Sequence, residues 1–164
     1  MRFYSQSITC GGLFLAGLAG SVALLHATDA AAAWVRVTSS SCYLQTALQW
    51  SAGGLLNTCS NCSDTFQCTL PETDLLPKQN VRTLNIHGHD ANSQFSVFAQ
   101  ACVIYWPSNG GECGAGAFSG NGFVGEYTIS PALTSWNSAH SADFAYVVVA
   151  LQPNDTLRGF WASQ

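Results

Sequence analysis

The sequence predicts an all-β protein, a two-sheet antiparallel sandwich or jelly-roll-like fold, and three observations carry that expectation. Apolar residues alternate with period two over most of the chain after residue 33, which is the spacing of half-buried strands and not of helices. Turn-forming clusters of Gly, Pro, Asn and Asp punctuate these runs roughly every eight to twelve residues, the rhythm of a sandwich. Only 9% of the residues are charged, against about 25% in ordinary soluble domains, so Ser, Thr, Asn, Gln and Gly must supply the solvated surface. A closed barrel is the alternative architecture.

Residues 1–32 read as an export leader. Met1 and Arg2 give a weakly positive start, residues 11–25 form an uncharged apolar run, and residues 30–33 are alanines that offer an A-x-A cleavage site near Ala32. Fifteen apolar residues are fewer than the roughly twenty that a spanning helix needs, so no transmembrane span is expected in the mature chain. Residues 33–164 then form one domain.

Within that domain a strand is expected at 34–38, with shorter ones at 41–44, 47–51 and 65–70; residues 71–80 carry two prolines and three charges and read as a surface connection. Residues 81–87 alternate, with Leu84 and Ile86 on one face. Residues 95–106 are apolar on both faces and are expected to cross the centre of the molecule. Asn121-Gly122 signals a hairpin into a strand at 123–129. Pro131 begins a stretch that suits one helical turn, with Ser130 as its cap. Residues 143–151 are so β-prone that they must be central or covered. The turn at Pro153-Asn154-Asp155 leads to a last strand at 156–161, closing a final hairpin.

Cys10 leaves with the leader, and six cysteines remain: Cys42, Cys59, Cys62, Cys68, Cys102 and Cys113. In an exported chain an even set reads as three disulfides, although six cysteines allow fifteen pairings. The turn-rich residues 107–111 bring Cys102 and Cys113 within reach of each other; a long-range Cys42–Cys68 bridge is reasonable, and Cys59 with Cys62 then pair locally. The Cys59-Ser60-Asn61-Cys62 motif has no amphipathic helix behind it, unlike a thiol redox site.

Cys42, the Cys68-Thr69-Leu70-Pro71 segment, the strand near Val81, Cys102 in a central strand, Tyr146-Val147-Val148-Val149 and the closing Leu157-Arg158-Gly159-Phe160-Trp161 together resemble a loose set of small exported bacterial proteins of uncharacterised function. That resemblance implies a disulfide-pinned β-sandwich outside the cytoplasm, extracellular or periplasmic, and no activity.

Five Lys plus Arg against nine Asp plus Glu give a net charge of −4 with no basic cluster, which excludes nucleic acid as a partner. No cofactor motif is present, so none is expected. His87, His89 and Asp90 form the most suggestive polar cluster and could serve a metal-assisted hydrolase, with His140 and Asp143 as a second pair. Glu112 and Glu126 are the likeliest carboxylates for glycoside cleavage, though nothing singles them out. Trp106, Asn109, Trp136 and Asn137 lie in expected loops, where indole faces and amides could bind a glycan or a cell-surface protein, while Trp34, Trp50 and Trp161 are expected to fill the core. The preferred reading is a secreted, non-catalytic structural or binding module.

Overall fold

A computed structural model describes residues 33–43, 47–73 and 76–164, with Trp34 described by its backbone; the expected leader at 1–32, Cys10 and the side chain of Trp34 lie outside the described residues. Among the described residues the regular structure is mostly strand: β1 (Trp34–Thr38), β2 (Leu48–Ser51), β3 (Gly54–Asn57), β4 (Asp64–Thr69), β5 (Thr83–Asp90), β6 (Phe98–Ile104), β7 (Gly111–Cys113), β8 (Ala117–Phe118), β9 (Gly125–Ile129), β10 (Phe144–Leu151) and β11 (Thr156–Ser163), with one short α-helix α1 (Thr134–Ser138) and single 3-10 turns at Ser39–Ser41 and Lys78–Asn80. Two antiparallel sheets result. The first runs β2-β3-β11-β5-β9, with β1 also paired to β11; the second runs β4-β10-β6-β7, with β8 also paired to β6.

β10 is the second sheet's central strand, as its sequence requires. Ala145, Val147, Val149 and Leu151 point inward while β4 and β6 take its two hydrogen-bonding edges, so its aggregation-prone backbone is fully paired. Ala99 and Ala101 of β6 pack beside them, and Leu84, Ile86, Leu157 and Phe160 from the first sheet belong to the same buried cluster; Val103 of β6, also buried, pairs with Ala145. Each Val, Leu, Ile or Phe side chain among them contributes about 1.5–3 kcal/mol on burial.

Several expectations are corrected. β8 lies in the second sheet and β9 in the first, so Asn121-Gly122 carries the chain between sheets instead of closing a hairpin. The Pro153-Asn154-Asp155 turn does the same between β10 and β11, with Asn154 in the left-handed conformation at φ 68°. Ser130 does not cap α1; its hydroxyl donates to the Asn85 side chain at 2.6 Å, and the cap position is Leu133. Trp50 is 47% exposed although it shares a face with Leu48 and pairs with Leu55, because β2 is an edge strand of the first sheet. The 71–80 connection is not wholly superficial. Leu76 and Lys78 are buried, and the Lys78 ammonium donates to both Glu72 carboxylate oxygens and to the Ser141 carbonyl at 3.2 Å.

All three expected disulfides are formed: Cys42–Cys68, Cys59–Cys62 and Cys102–Cys113. Cys102 and Cys113 face each other in the β6–β7 register. Cys42 forms an isolated bridge with Cys68 of β4, fastening the segment after β1 to the second sheet.

Candidate functional site

Three loops meet where β3, β5 and β10 end: the Cys59–Cys62 loop, the β5–β6 loop and the β10–β11 turn. Between them lies a cleft of about 790 Å³ walled by residues 60–63, 91–95 and 152–154. Its side chains are Asn61, Asn92, Gln94, Gln152 and Asn154, three serines, the ring of Phe95 and the Cys62 half of a disulfide; none of the lining residues is Asp, Glu, His, Lys or Arg. Phe95 is 59% exposed.

The cleft is held from beneath by buried polar residues. Asn57 is fully buried; its Nδ2 donates to the carbonyls of Cys62 at 3.0 Å and Leu151 at 2.9 Å, and its Oδ1 accepts from the Cys59 amide at 2.9 Å. The Asp155 carboxylate accepts from the Ala91 and Gln152 amides, both at 2.8 Å. Asp90 accepts from the Asn92 amide at 3.0 Å and from the Ser119 hydroxyl, and Ser119 Oγ accepts from the Val97 amide. Both ends of the β5–β6 loop are thereby fixed. Burial pushes the Asp155 carboxyl up to about 6, the nearby Asp90 adding to the effect while the Ala91 and Gln152 amides oppose it. The Tyr127 phenol, buried beside the same pair, is also pushed up, first by burial and then by the charges of Asp155 and Asp90.

The residues singled out by sequence fall elsewhere. His87 and His89 point outward from β5, whereas Asp90 is wholly buried on the opposite face. Strand alternation therefore splits the expected metal cluster. Gly88 sits between the histidines because a side chain has no room there: a Cβ would lie 2.0 Å from the Thr156 carbonyl oxygen and 2.3 Å from the Tyr127 hydroxyl. Among the described residues no three His, Cys, Asp or Glu side chains converge as an ion site. His87 Nδ1 pairs with Thr128 Oγ1 at 3.0 Å, and desolvation, followed by the Arg36 charge, lowers the imidazole from its ordinary value. Asp143 is committed to backbone: it accepts from the Trp106 amide at 2.9 Å and the His140 amide at 2.8 Å, and these bonds, Trp106 first, hold its carboxyl below its ordinary range. Glu112 and Glu126 belong to different sheets, Glu126 holding Arg158 and Glu112 accepting from Ser138.

The four expected ligand-binding residues divide as well. Trp106 is 65% exposed and meets Phe144 edge-on, ring centroids 6.2 Å apart. It follows Ile104, which pairs with Phe144 at the start of β10, so Trp106 and the exposed Asn109 lie at the end of the second sheet away from the cleft. Trp136 has no exposed surface and its Nε1 donates to the Cys102 carbonyl at 2.8 Å; its ring faces are therefore closed to a ligand. The Asn137 amide nitrogen donates to the Val81 and Gln79 carbonyls, anchoring α1. The cleft residues were missed because they come from three distant segments with no motif in common.

No family model, no curated protein and no solved structure matches the chain.

Proposed function

We propose that the chain is an exported, non-catalytic β-sandwich module that binds a neutral sugar in the loop-end cleft. The observation that carries this reading is the cleft's lining: amides and hydroxyls from three loops around one exposed aromatic ring, with no titratable side chain among them. Sugar hydroxyls both donate and accept, as side-chain amides do, and a pyranose face rests on an aromatic ring. An acid, base or free thiol would be needed for hydrolysis or transfer, and the lining supplies none.

Export fits the three disulfides, which persist in oxidising compartments, and the apolar leader at 1–32. The site is held rigidly from beneath by Asn57 and Asp155, which lowers the ordering cost of binding a small polar ligand.

The test is a neutral-glycan array with the oxidised mature chain, followed by calorimetry on any hit. Binding is expected to weaken in Phe95→Ala and Gln152→Ala and to be unchanged in Trp106→Ala. The reading fails if no neutral glycan binds, or if binding depends on Trp106 and not on Phe95. N-terminal sequencing of secreted material is expected to begin near residue 33.

A further inference from the structure

The outer face of the second sheet is apolar and uncharged, and the strand register sets its extent. Alternation sends Ala145, Val147, Val149 and Leu151 of β10 into the core, so Phe144, Tyr146, Val148 and Ala150 point away from it. On β6, Ile104 lies opposite Phe144 and Phe98 opposite Ala150. Phe118 of β8 lies opposite Phe98, the two rings 4.9 Å apart. On the other side of β10 the facing positions are Thr65, Gln67 and Thr69 of β4. The Tyr43 amide donates to the Gln67 carbonyl at 2.8 Å, while the neighbouring Cys42 is buried in its bond to Cys68, so Tyr43 stands on the outer side beside Gln67. Three of these rings are well exposed: Tyr43 at 82%, Phe118 at 62% and Phe144 at 58%.

None of the outward residues of β4, β6, β7, β8 and β10 is charged. Asp64 and Glu112, the two carboxylates in these strands, alternate to the other side, Asp64 in step with the buried Phe66 and Cys68 and Glu112 opposite Val103. The chain carries a net charge of −4, so two copies approach most easily where neither presents a charge. The polar groups on the face are threonine hydroxyls and glutamine amides, which both donate and accept and therefore suit their own kind across a two-fold axis, where any charge would meet its like. Strands lie about 4.8 Å apart and advance about 3.4 Å per residue, so four strands along the eight residues of β10 make a plane of roughly 500 Å². With side-chain relief, and with Tyr43 and Trp106 exposed at its margins, it approaches the roughly 800 Å² of accessible surface that each partner of a stable pair gives up.

We infer that two copies of the chain pair through this face, sheet against sheet, about a two-fold axis near Val148, the outward residue midway along β10 that lies between Gln67 and Gln100. The relief of the face favours a protein partner over a flat lattice. The Phe98 and Phe118 planes are inclined at 46°, and Trp106 stands edge-on to Phe144 at 87°, so the rings share no plane on which an extended polysaccharide could lie, whereas interlocking side chains fill such relief. The Lys and Arg that would seat a sheet on anionic lipid are missing from the outward set. The inference does not depend on the loop-end cleft.

The experiment is analytical ultracentrifugation of the chain as secreted, disulfides intact, from about 1 to about 200 µM, with a dissociation constant expected in or below the micromolar range. Association is expected to hold or tighten as salt rises from about 0.05 to about 0.5 M, because the contact is apolar and the repulsion between copies is screened. Val148→Lys sets like charges against each other at the axis and is expected to weaken association about a hundredfold or more. Phe144→Lys, at a more exposed position, is expected to weaken it roughly tenfold and carries the test if Val148→Lys does not fold by circular dichroism. Gln49→Lys, on the edge strand β2 of the first sheet, is expected to leave it unchanged. A single-chain mass over the whole range, a pair that survives both face substitutions in folded protein, or a pair that Gln49→Lys disrupts equally overturns the inference. So does a single chain that binds phosphatidylcholine vesicles or microcrystalline cellulose and loses that binding in Phe144→Lys, which would give the face to another occupant.

Discussion

The side-chain amide of Asn57 donates to the Leu151 carbonyl at 2.9 Å across 94 residues of sequence, joining the end of β3 in one sheet to the end of β10 in the other. The same side chain holds the Cys62 carbonyl and the Cys59 amide, so one buried residue positions two of the three cleft walls. Asn57→Leu keeps the volume but leaves three backbone groups without a partner. At about 1–3 kcal/mol for each group left unsatisfied, a loss of about 3 kcal/mol or more is expected in urea unfolding with the disulfides intact. Asn61→Ala, on the exposed loop above, is expected to change stability by no more than about 0.5 kcal/mol. Equal effects from the two substitutions would refute the anchoring role of Asn57.

The disulfides differ in what they close. Cys42–Cys68 spans 26 residues and Cys59–Cys62 spans three; by chain entropy the first stabilises by about 3–4 kcal/mol and the second by about 1–2 kcal/mol. Burial adds to the contrast, since Cys42 and Cys68 are buried while Cys62 is exposed at the cleft. Paired Cys→Ser substitutions are expected to lower the melting temperature far more at 42/68 than at 59/62. The 59/62 variant is expected to stay folded and to lose cleft binding, because its wall is freed. A 59/62 variant that melts as early as the 42/68 variant would contradict this ordering.

Much of the strand content was legible because burial imposes a period, which β5 shows, while β6 was legible as a strand apolar on both faces and β10 had to be central on edge-pairing grounds alone. Which strands pair was less so. A two-residue turn reads the same whether it returns the chain within one sheet or passes it to the other, which is why Asn121-Gly122 and Pro153-Asn154-Asp155 were misread as hairpins. The cleft was not legible at all. Asn61, Asn92 and Gln152 are ordinary members of a chain rich in Ser, Asn and Gln, and only the folding of three loops to one end gives them a common purpose.

Trp106 and Trp136 show how a shared sequence context conceals opposite roles. Both lie among Ser and Asn in expected loops, yet one is largely exposed and the other wholly buried with its indole donating to Cys102. Trp136→Ala is expected to cost about 3–5 kcal/mol, the range for emptying a large aromatic site in a core. Trp106→Ala, which loses only an exposed edge contact with Phe144, is expected to cost less than about 1.5 kcal/mol. Denaturation midpoints of the two variants check this, and a costlier Trp106 substitution would reverse the assignment.

Stability between pH 4 and 6 is expected to carry the signature of Asp155. Its carboxyl has an ordinary value of 3.8 and is pushed up to about 6 in the fold, so the folded state holds a proton that the unfolded chain has released. As pH rises through this window unfolding is favoured, each unit costing up to about 1.4 kcal/mol, and above the window both states are ionised and the cost stays constant. Asp143 acts in the opposite sense and elsewhere: its carboxyl is held below 3.8, so its contribution is present above that value and is lost only as pH falls further. Thermal melts from pH 3.5 to 7 are expected to fall across the Asp155 window, and Asp155→Asn, which cannot titrate, is expected to flatten that part of the curve. An unchanged slope in the variant would mean that another group carries the proton. Because the Asp155 carboxylate oxygens hold the first residue of the β5–β6 loop and the first of the β10–β11 turn, ligand affinity of the cleft is expected to shift over the same interval.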